Sequence, residues 1–500
     1  MKSEALKIAE DVTLTYNQQM IALAKLGENT DDTIKLSDEY YKAKEEGILC
    51  DLNEGVMPIR PRYICPDYAL LLKKGSEFLN LKPAEDLLDA CNNLLIMYKH
   101  VPSITTFPVY LGSLDDLLDP FVLKEDRKFA KKVLRNFLLH IDSTLTDSFV
   151  HANIGPKDSV TARIILELTE EMQLAIPNIT LKYDKDLTSD DFALACVKCM
   201  LKSAKPSFAN HRMFVKEWGE DYCIASCYNG LKIGGGGFTL PRIRMYECSL
   251  KAKSPEDFIE NVLPYYCNLQ FEYMDKRVKF ISEQCNFFKA NFLATEGFVQ
   301  RDKFIGMFGM VGLAECCNHL LGIEDKAKGF GHNKEVEDLG VRIMEKMEDI
   351  VAKHDAPHCE AFGGHYRLHA QVGIDSDGME NAPGTRIPVG YEPEMFEQLL
   401  VNERFQKFFP TGTGDIFKFE ETYLKSPDAI LDIIKGAFEN DLRYFSGYLA
   451  NNDLVRVTGY LVKKSEIEKL RQNKQSLNNC TAFGKGADEF GHALDRRIQK

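Results

Sequence analysis

No run of apolar residues reaches the roughly 18 to 20 that a membrane-spanning helix needs. The first segment, Met1 to Tyr16, interleaves charged with apolar residues and lacks the unbroken apolar core of a signal peptide. Basic residues are the minority: 62 Lys and Arg against 75 Asp and Glu leave a formal charge of −13. The densest basic run, Asp126-Arg127-Lys128-Phe129-Ala130-Lys131-Lys132, has the spacing of a solvated helix face. Nucleic acid and anionic membrane surfaces are therefore not expected partners, and the cytoplasm is the expected location. Ser/Gly linkers and internal repeats are also missing, which favours one large unit for these 500 residues. Hydrophobic residues at 44% and charged residues at 27% exclude a mostly disordered chain.

Cysteine, by contrast, is plentiful. The fourteen are scattered, and with nothing to direct them to an oxidising compartment they read as thiols. Most are expected to act as small buried hydrophobes, in number suited to a reducing, oxygen-poor cell interior. Cys196-Val197-Lys198-Cys199 has no second pair and reads as a buried helix face, not a metal or redox site.

Residues 1–165 read as largely helical: Ala84 to Met97 and Lys124 to Ile141 carry apolar residues at three- and four-residue spacing. Residues 166–440 take on an α/β texture. Ile176 to Tyr183 reads as a strand. Thr188-Ser189-Asp190-Asp191 reads as the start of a helix over Phe192 to Lys202. Lys334 to Lys353 and Pro427 to Glu439 are further helices, the latter followed by a short strand around Arg443-Tyr444-Phe445. Residues 441–500 form a small, in part polar and Gly-dotted, C-terminal region.

Two segments stand out chemically. In Asp221-Tyr222-Cys223-Ile224-Ala225-Ser226-Cys227-Tyr228-Asn229, a short strand runs into a cysteine, and four glycines, Gly234 to Gly237, follow. Those glycines either cradle a phosphate or make a tight connection; no Lys-Ser/Thr follows, so the connection is favoured. In Asp453-Leu454-Val455-Arg456-Val457-Thr458-Gly459-Tyr460-Leu461-Val462, one glycine interrupts a β-rich run. It marks a bulge or a hairpin turn, or it answers a chemical need. A radical at an α-carbon is planar, and only glycine flattens there without a side-chain clash.

Arg456-Val457-Thr458-Gly459-Tyr460 resembles the Arg-Val-x-Gly-Tyr motif of glycyl radical enzymes, with 41 residues following the glycine. Asp221 to Cys227 resembles the cysteine loop of pyruvate formate-lyase, and Pro177-Asn178-Ile179-Thr180-Leu181 the strand before it. Leu240-Pro241-Arg242-Ile243 and Ile305 to Glu315 are similar to segments of anaerobic ribonucleotide reductase. The resemblance covers about residues 170 to 500 and fits the YjjI-type subgroup best. It implies an α/β fold: a ten-stranded α/β barrel of two five-stranded halves, a helical N-terminal part, a barrel over 166–440 carrying the cysteine loop, and a C-terminal glycyl radical region. It further implies Gly459 as the radical store, Cys227 as the thiyl site, and a radical S-adenosylmethionine activase with an iron–sulfur cluster as partner. No permanently bound cofactor is implied. A homodimer acting on a small-molecule substrate is the expected assembly.

The departures narrow the chemistry. Ser226 stands where pyruvate formate-lyase has its second cysteine, which argues against acyl transfer. Asn229 stands where eliminases of this family place a glutamate base, leaving Asn229 a substrate contact and the base absent or supplied elsewhere. Between Cys359 and Cys480 there is no cysteine, so the reductases' four-cysteine zinc site cannot form. Cys316-Cys317 lies in another context and reads as core packing. Between His354 and His369, Glu360 and His365 are acid/base or substrate-contact candidates, and no metal site is expected. Asp115 either binds substrate hydroxyls or caps a helix with Asp116. The expected activity is lyase- or dehydratase-like radical chemistry on a small polar substrate. An atypical anaerobic ribonucleotide reductase and a non-catalytic partner of the same fold are the alternatives.

Overall fold

A computed structural model describes residues 3–28, 33–52, 54–103, 107–145, 147–370, 381–476 and 494–499. Side-chain caps set the ends of the expected helices. Asp86 accepts from Asp89 N, so the first helix runs Leu87–Tyr98 rather than from Ala84. Asp126 accepts from Lys128 N and Phe129 N and starts the next at Arg127–Thr144. Ser189 caps Asp190–Ser203, with two acidic residues in the first turn where the helix dipole favours them. Lys334–Lys353 and Pro427–Glu439 match their expected bounds.

Two sheets form the body. In one, Phe304–Val311 lies parallel to Gly235–Thr239 and Arg242–Arg244 on one side and to Arg367–Ala370 on the other. Tyr63–Cys65 and Leu49–Cys50 add antiparallel edges. In the second, His151–Ile154, Asn178–Tyr183 and Ser207–Asn210 run parallel; Tyr444–Leu449 joins antiparallel, then Asp415–Phe419, then Ile498–Gln499. Interior strands are buried on both faces, as expected where both sides of a sheet are covered. Among the described residues each sheet thus has six hydrogen-bonded members where two five-stranded halves were expected. One counted strand splits at Leu240-Pro241, where proline offers no N–H, and two-residue edges count as members. The N-terminal region, read as helical, contributes three strands, of two to four residues each. Runs that short carry no legible periodicity.

The four-glycine run is largely a strand, not a phosphate loop. A Cβ at Gly235 would overlap the Lys303 backbone, and one at Gly236 (φ +155°) the Tyr63 carbonyl. These glycines let three strands approach closely. Among the described residues, no helix is long and apolar enough to cross a membrane.

Candidate active site

The cysteine segment folds as a hairpin, Tyr222–Ala225 paired antiparallel with Asn229–Lys232. Ser226, Cys227 and Tyr228 form its tip, and Ser226 takes a left-handed φ of +59°. The hairpin lies between the sheets. From the second sheet, the Asn153 amide binds both backbone groups of Ile224, donating at 2.8 Å and accepting at 2.9 Å. From the first, a Cβ at Gly237 would sit 3.8 Å from the Leu231 side chain. Ser226 N also donates to Val109 O at 3.0 Å.

The glycine segment is a second hairpin, Leu454–Arg456 with Leu461–Lys463, closed by Val457 N donating to Tyr460 O at 3.1 Å. Gly459 therefore sits in a turn, not mid-strand. Tyr460 packs edge-on against Phe149, with ring centroids 5.4 Å apart. Arg456 Nη2 donates to Ala204 O at 2.9 Å, just past the C-terminus of helix Asp190–Ser203, where the dipole favours a cation.

The two turns touch. A Cβ built on Gly459 would lie 2.6 Å from Cys227 Cα and nearer still to its Cβ and Sγ. No side chain fits between this α-carbon and the thiol. The φ of Gly459 lies outside the left-handed region, so space rather than backbone conformation demands glycine here.

Burial pushes the Cys227 thiol up to about 12, although the Ser226 hydroxyl and the charges of Arg386, Arg456 and Arg62 pull the other way. The cysteine is therefore a neutral S–H. Burial likewise pushes His151 down to about 3, so its ring is neutral. Its Nδ1–H donates to Ser226 O at 2.5 Å, which leaves Nε2 to accept from Thr180 Oγ1 at 2.7 Å. Thr180 Oγ1 then accepts from Tyr444 OH at 2.7 Å, a hydroxyl also 3.3 Å from Cys227 O. This chain of hydrogen bonds ties the cysteine turn to the second sheet.

The other sequence candidates are scattered. Asn229 is buried directly after the turn, its Oδ1 without a partner among the described residues. Glu360 is exposed and paired with Arg301, 2.5 Å away. His365 Nδ1 meets His354 O at 2.9 Å, while His354 pairs with Asp275 and stacks on Phe271. Asp115 is buried in helix Leu114–Val122, and its Oδ2 accepts from Gly155 N at 2.7 Å, so it caps the Ile154-Gly155 turn and not its own helix. Burial and the neighbouring Asp116 push its carboxyl up to about 7. Cys196, Cys199, Cys316 and Cys317 are core thiols inside helices. Among the described residues, no group of three or more His, Cys, Asp or Glu side chains is placed to hold a metal.

Sequence reasoning missed Arg386, whose guanidinium stacks 5.6 Å over the Tyr228 ring, and His369, whose ring lies 5.9 Å from that of Tyr228. Arg386 has no local motif to announce it, whereas His369 closes the acid–base-dense segment from which only Glu360 and His365 were singled out.

The YjjI-like glycyl radical enzyme family model matches residues 14–499. An uncharacterized protein of Haemophilus influenzae is 44% identical over 97% of this chain and 95% of its own length. The uncharacterized protein YjjI of Escherichia coli is 38% identical over 98% and 95%. Among solved structures, hydroxyproline dehydratase from Clostridioides difficile, with trans-4-hydroxy-L-proline bound, has a TM-score of 0.69 at 14% identity, covering 100% of this chain and 89% of that one. The anaerobic ribonucleotide reductase of Thermotoga maritima, in complex with dATP and CTP, has a TM-score of 0.69 at 13% identity and 94% coverage of both chains. The structure describing 1,2-propanediol dehydration in Roseburia inulinivorans has a TM-score of 0.67 at 10% identity, covering 99% and 88%. At these identities the structural likeness speaks for the fold, and the family match, reaching across both hairpins, speaks for kinship: the chain belongs to the YjjI-like glycyl radical enzyme family.

Proposed function

We propose that Gly459 stores a glycyl radical and that Cys227 relays it to a small polar substrate in a lyase- or dehydratase-type reaction. The observation that carries this reading is the contact between the two turns, which leaves no room for a side chain between the α-carbon and the thiol. A separate activating enzyme, a radical S-adenosylmethionine protein with an iron–sulfur cluster, removes one hydrogen atom from the Gly459 α-carbon. The Cys227 S–H then gives its hydrogen atom to that carbon, and the sulfur is left as the radical. The thiyl takes a hydrogen atom from a substrate C–H bond, the substrate radical reacts, and the S–H returns the atom to the product radical. The chain supplies alignment and exclusion of water, while the radical breaks the bond.

Dehydration is the favoured reaction class. Ser226 in place of a second cysteine speaks against acyl transfer, and a neutral thiol is a poor nucleophile. Two fold neighbours are described as a hydroxyproline dehydratase and as acting in 1,2-propanediol dehydration. Ribonucleotide reduction is the second reading, favoured by the equal likeness to the Thermotoga enzyme.

The test is an anaerobic electron paramagnetic resonance spectrum of the protein co-produced with its activase. A doublet from the single α-hydrogen is expected, absent in Gly459→Ala and retained in Cys227→Ser, the latter without turnover. A working activase that yields no Gly459-dependent signal refutes the reading. Deoxy product from a ribonucleotide would establish the second one.

A further inference from the structure

We infer that the substrate carries an anionic head group, a carboxylate or a phosphate, that pairs with Arg386. The inference rests on the reading of Cys227 as the reaction site. Arg386 is 5% exposed, yet its guanidinium is only partly satisfied. Nε donates to Gly414 O, and Nη1 is buried with no partner among the described residues. Asp415 forms a long buried ion pair with Nε at 3.8 Å, and its oxygens are also engaged by other groups. Its Oδ2 accepts from Gln398 and Asn402 at 2.7 Å each, and its Oδ1 from Ile416 N at 2.8 Å.

The other two arginines acting on the thiol face fixed counter-groups of the fold. Arg62 is paired with the buried Glu54 at 3.2 Å, and Arg456 faces the carbonyl end of a helix. Both also keep buried nitrogens without hydrogen-bond partners, so position singles out Arg386. It stacks on Tyr228, the residue after Cys227, and of the three guanidiniums it pulls most strongly on that thiol. Two further buried atoms without partners among the described residues flank the same two turns: Asn229 Oδ1, two residues after Cys227, and Thr458 Oγ1, one before Gly459. Buried polar atoms are almost always paired, so unpaired atoms on residues that adjoin the two turns point to a ligand that completes them. A guanidinium calls for an oxyanion. A carboxamide oxygen calls for a donor such as the hydroxyl lost in dehydration.

Alkylation of the unactivated, anaerobic protein tests this without any radical. Iodoacetate and iodoacetamide deliver the same carbon to a thiol, one behind a carboxylate and the other behind a neutral amide. Peptide mass spectrometry measures the iodoacetate-to-iodoacetamide rate ratio at Cys227, with the partly exposed Cys50 and Cys285 of the same molecule as references. The ratio removes any effect of thiol acidity. It is expected to exceed the reference by roughly tenfold, the worth of one charge-assisted hydrogen bond. Arg386→Gln should return it to the reference, and Arg386→Lys should keep part of it. A wild-type ratio equal to the reference, a ratio unchanged in Arg386→Gln, or a Cys227 closed to both reagents while Cys50 reacts would each overturn the inference. Should Arg386→Gln not fold, protection of wild-type Cys227 from iodoacetamide decides. Acetate or inorganic phosphate should protect where acetamide does not, and the better of the two identifies the head group; protection by neither overturns it. A missing glycyl doublet would refute the radical reading and leave these ratios standing, so the two failures are distinguishable.

Discussion

Replacing Gly459 by alanine puts a methyl group into occupied space. It would stand 2.6 Å from Cys227 Cα and closer to the Cβ and Sγ. Carbon atoms need about 3.5–4.0 Å, so the two turns must part by roughly 1 Å or more. Both sides of the contact are held: the cysteine turn by Asn153, Val109 and the His151–Thr180–Tyr444 chain, the glycine turn by Phe149 and Ala204. Overpacking of this kind costs about 1–3 kcal/mol. At roughly 2.1 cal/mol/K per residue, unfolding the whole chain carries about 1 kcal/mol/K of entropy, so the midpoint should fall by only about 1–3 °C. The local readout is sharper. Hydrogen exchange should quicken in the two hairpins, Tyr222–Lys232 and Leu454–Lys463, and nowhere else. Cys227→Gly removes the Cβ and Sγ, so the double variant should regain a substantial part of the stability lost in Gly459→Ala. Effects of the two substitutions that add within about 0.5 kcal/mol would refute the contact itself.

Thr180→Val should leave His151 Nε2 without its donor, lowering stability by about 1–3 kcal/mol, whereas Thr180→Ser should restore it; calorimetry of the pair decides. Asp115→Asn tests a raised carboxyl. With the folded value near 7 and the unfolded value near 3.8, the native state holds the proton longer, so stability falls as pH rises between them. The variant keeps an oxygen for Gly155 N–H and cannot ionise. Its stability relative to wild type should therefore rise from about pH 4 to pH 8, by up to about 1.4 kcal/mol for each pH unit between the two values, and a difference flat with pH would contradict this. Gly236→Ala, whose Cβ would lie 2.9 Å from Tyr63 C and 2.8 Å from Phe304 Cε1, should abolish soluble expression. Gly436→Ala has open space on helix Pro427–Glu439 and should stabilise by up to about 1 kcal/mol in a denaturant titration.

Local chemistry made the long helices legible. Ser189 followed by two acids announced the start of Asp190–Ser203, and the starts of Leu87–Tyr98 and Arg127–Thr144 lie three residues later than expected, just after the capping aspartates Asp86 and Asp126. The short N-terminal strands stayed hidden, since two to four residues carry no period and their pairing partners lie far along the chain. The site divides in the same way. Cys227 and Gly459 lie in contiguous motifs with a chemical rationale for each residue type, and the fold brings them together. Glu360 and His365 drew notice by density of acid–base groups, but that density is spent on contacts with Arg301 and the His354 carbonyl. Arg386 carried no signal at all, because its significance lies in which ring it stacks on and which of its nitrogens is left unpaired, both properties of packing.

The electrostatic setting of Cys227 sorts the reactions open to it. Three arginines pull the thiol toward ionisation, yet burial prevails and holds it near 12. A nucleophilic or acid–base cysteine needs the reverse balance, with a thiolate accessible at neutral pH. A hydrogen-atom donor needs its S–H intact. The proposed exchange of a hydrogen atom between Cys227 and Gly459 would move no net charge through the low-dielectric interior, so the desolvation that disables ionic chemistry would leave that step unopposed. It follows that the arginines have little to do for the sulfur. Arg62 and Arg456 face Glu54 and the end of a helix, so on the proposed reading it is Arg386, stacked beside the cysteine turn, that would act on a substrate next to the thiol.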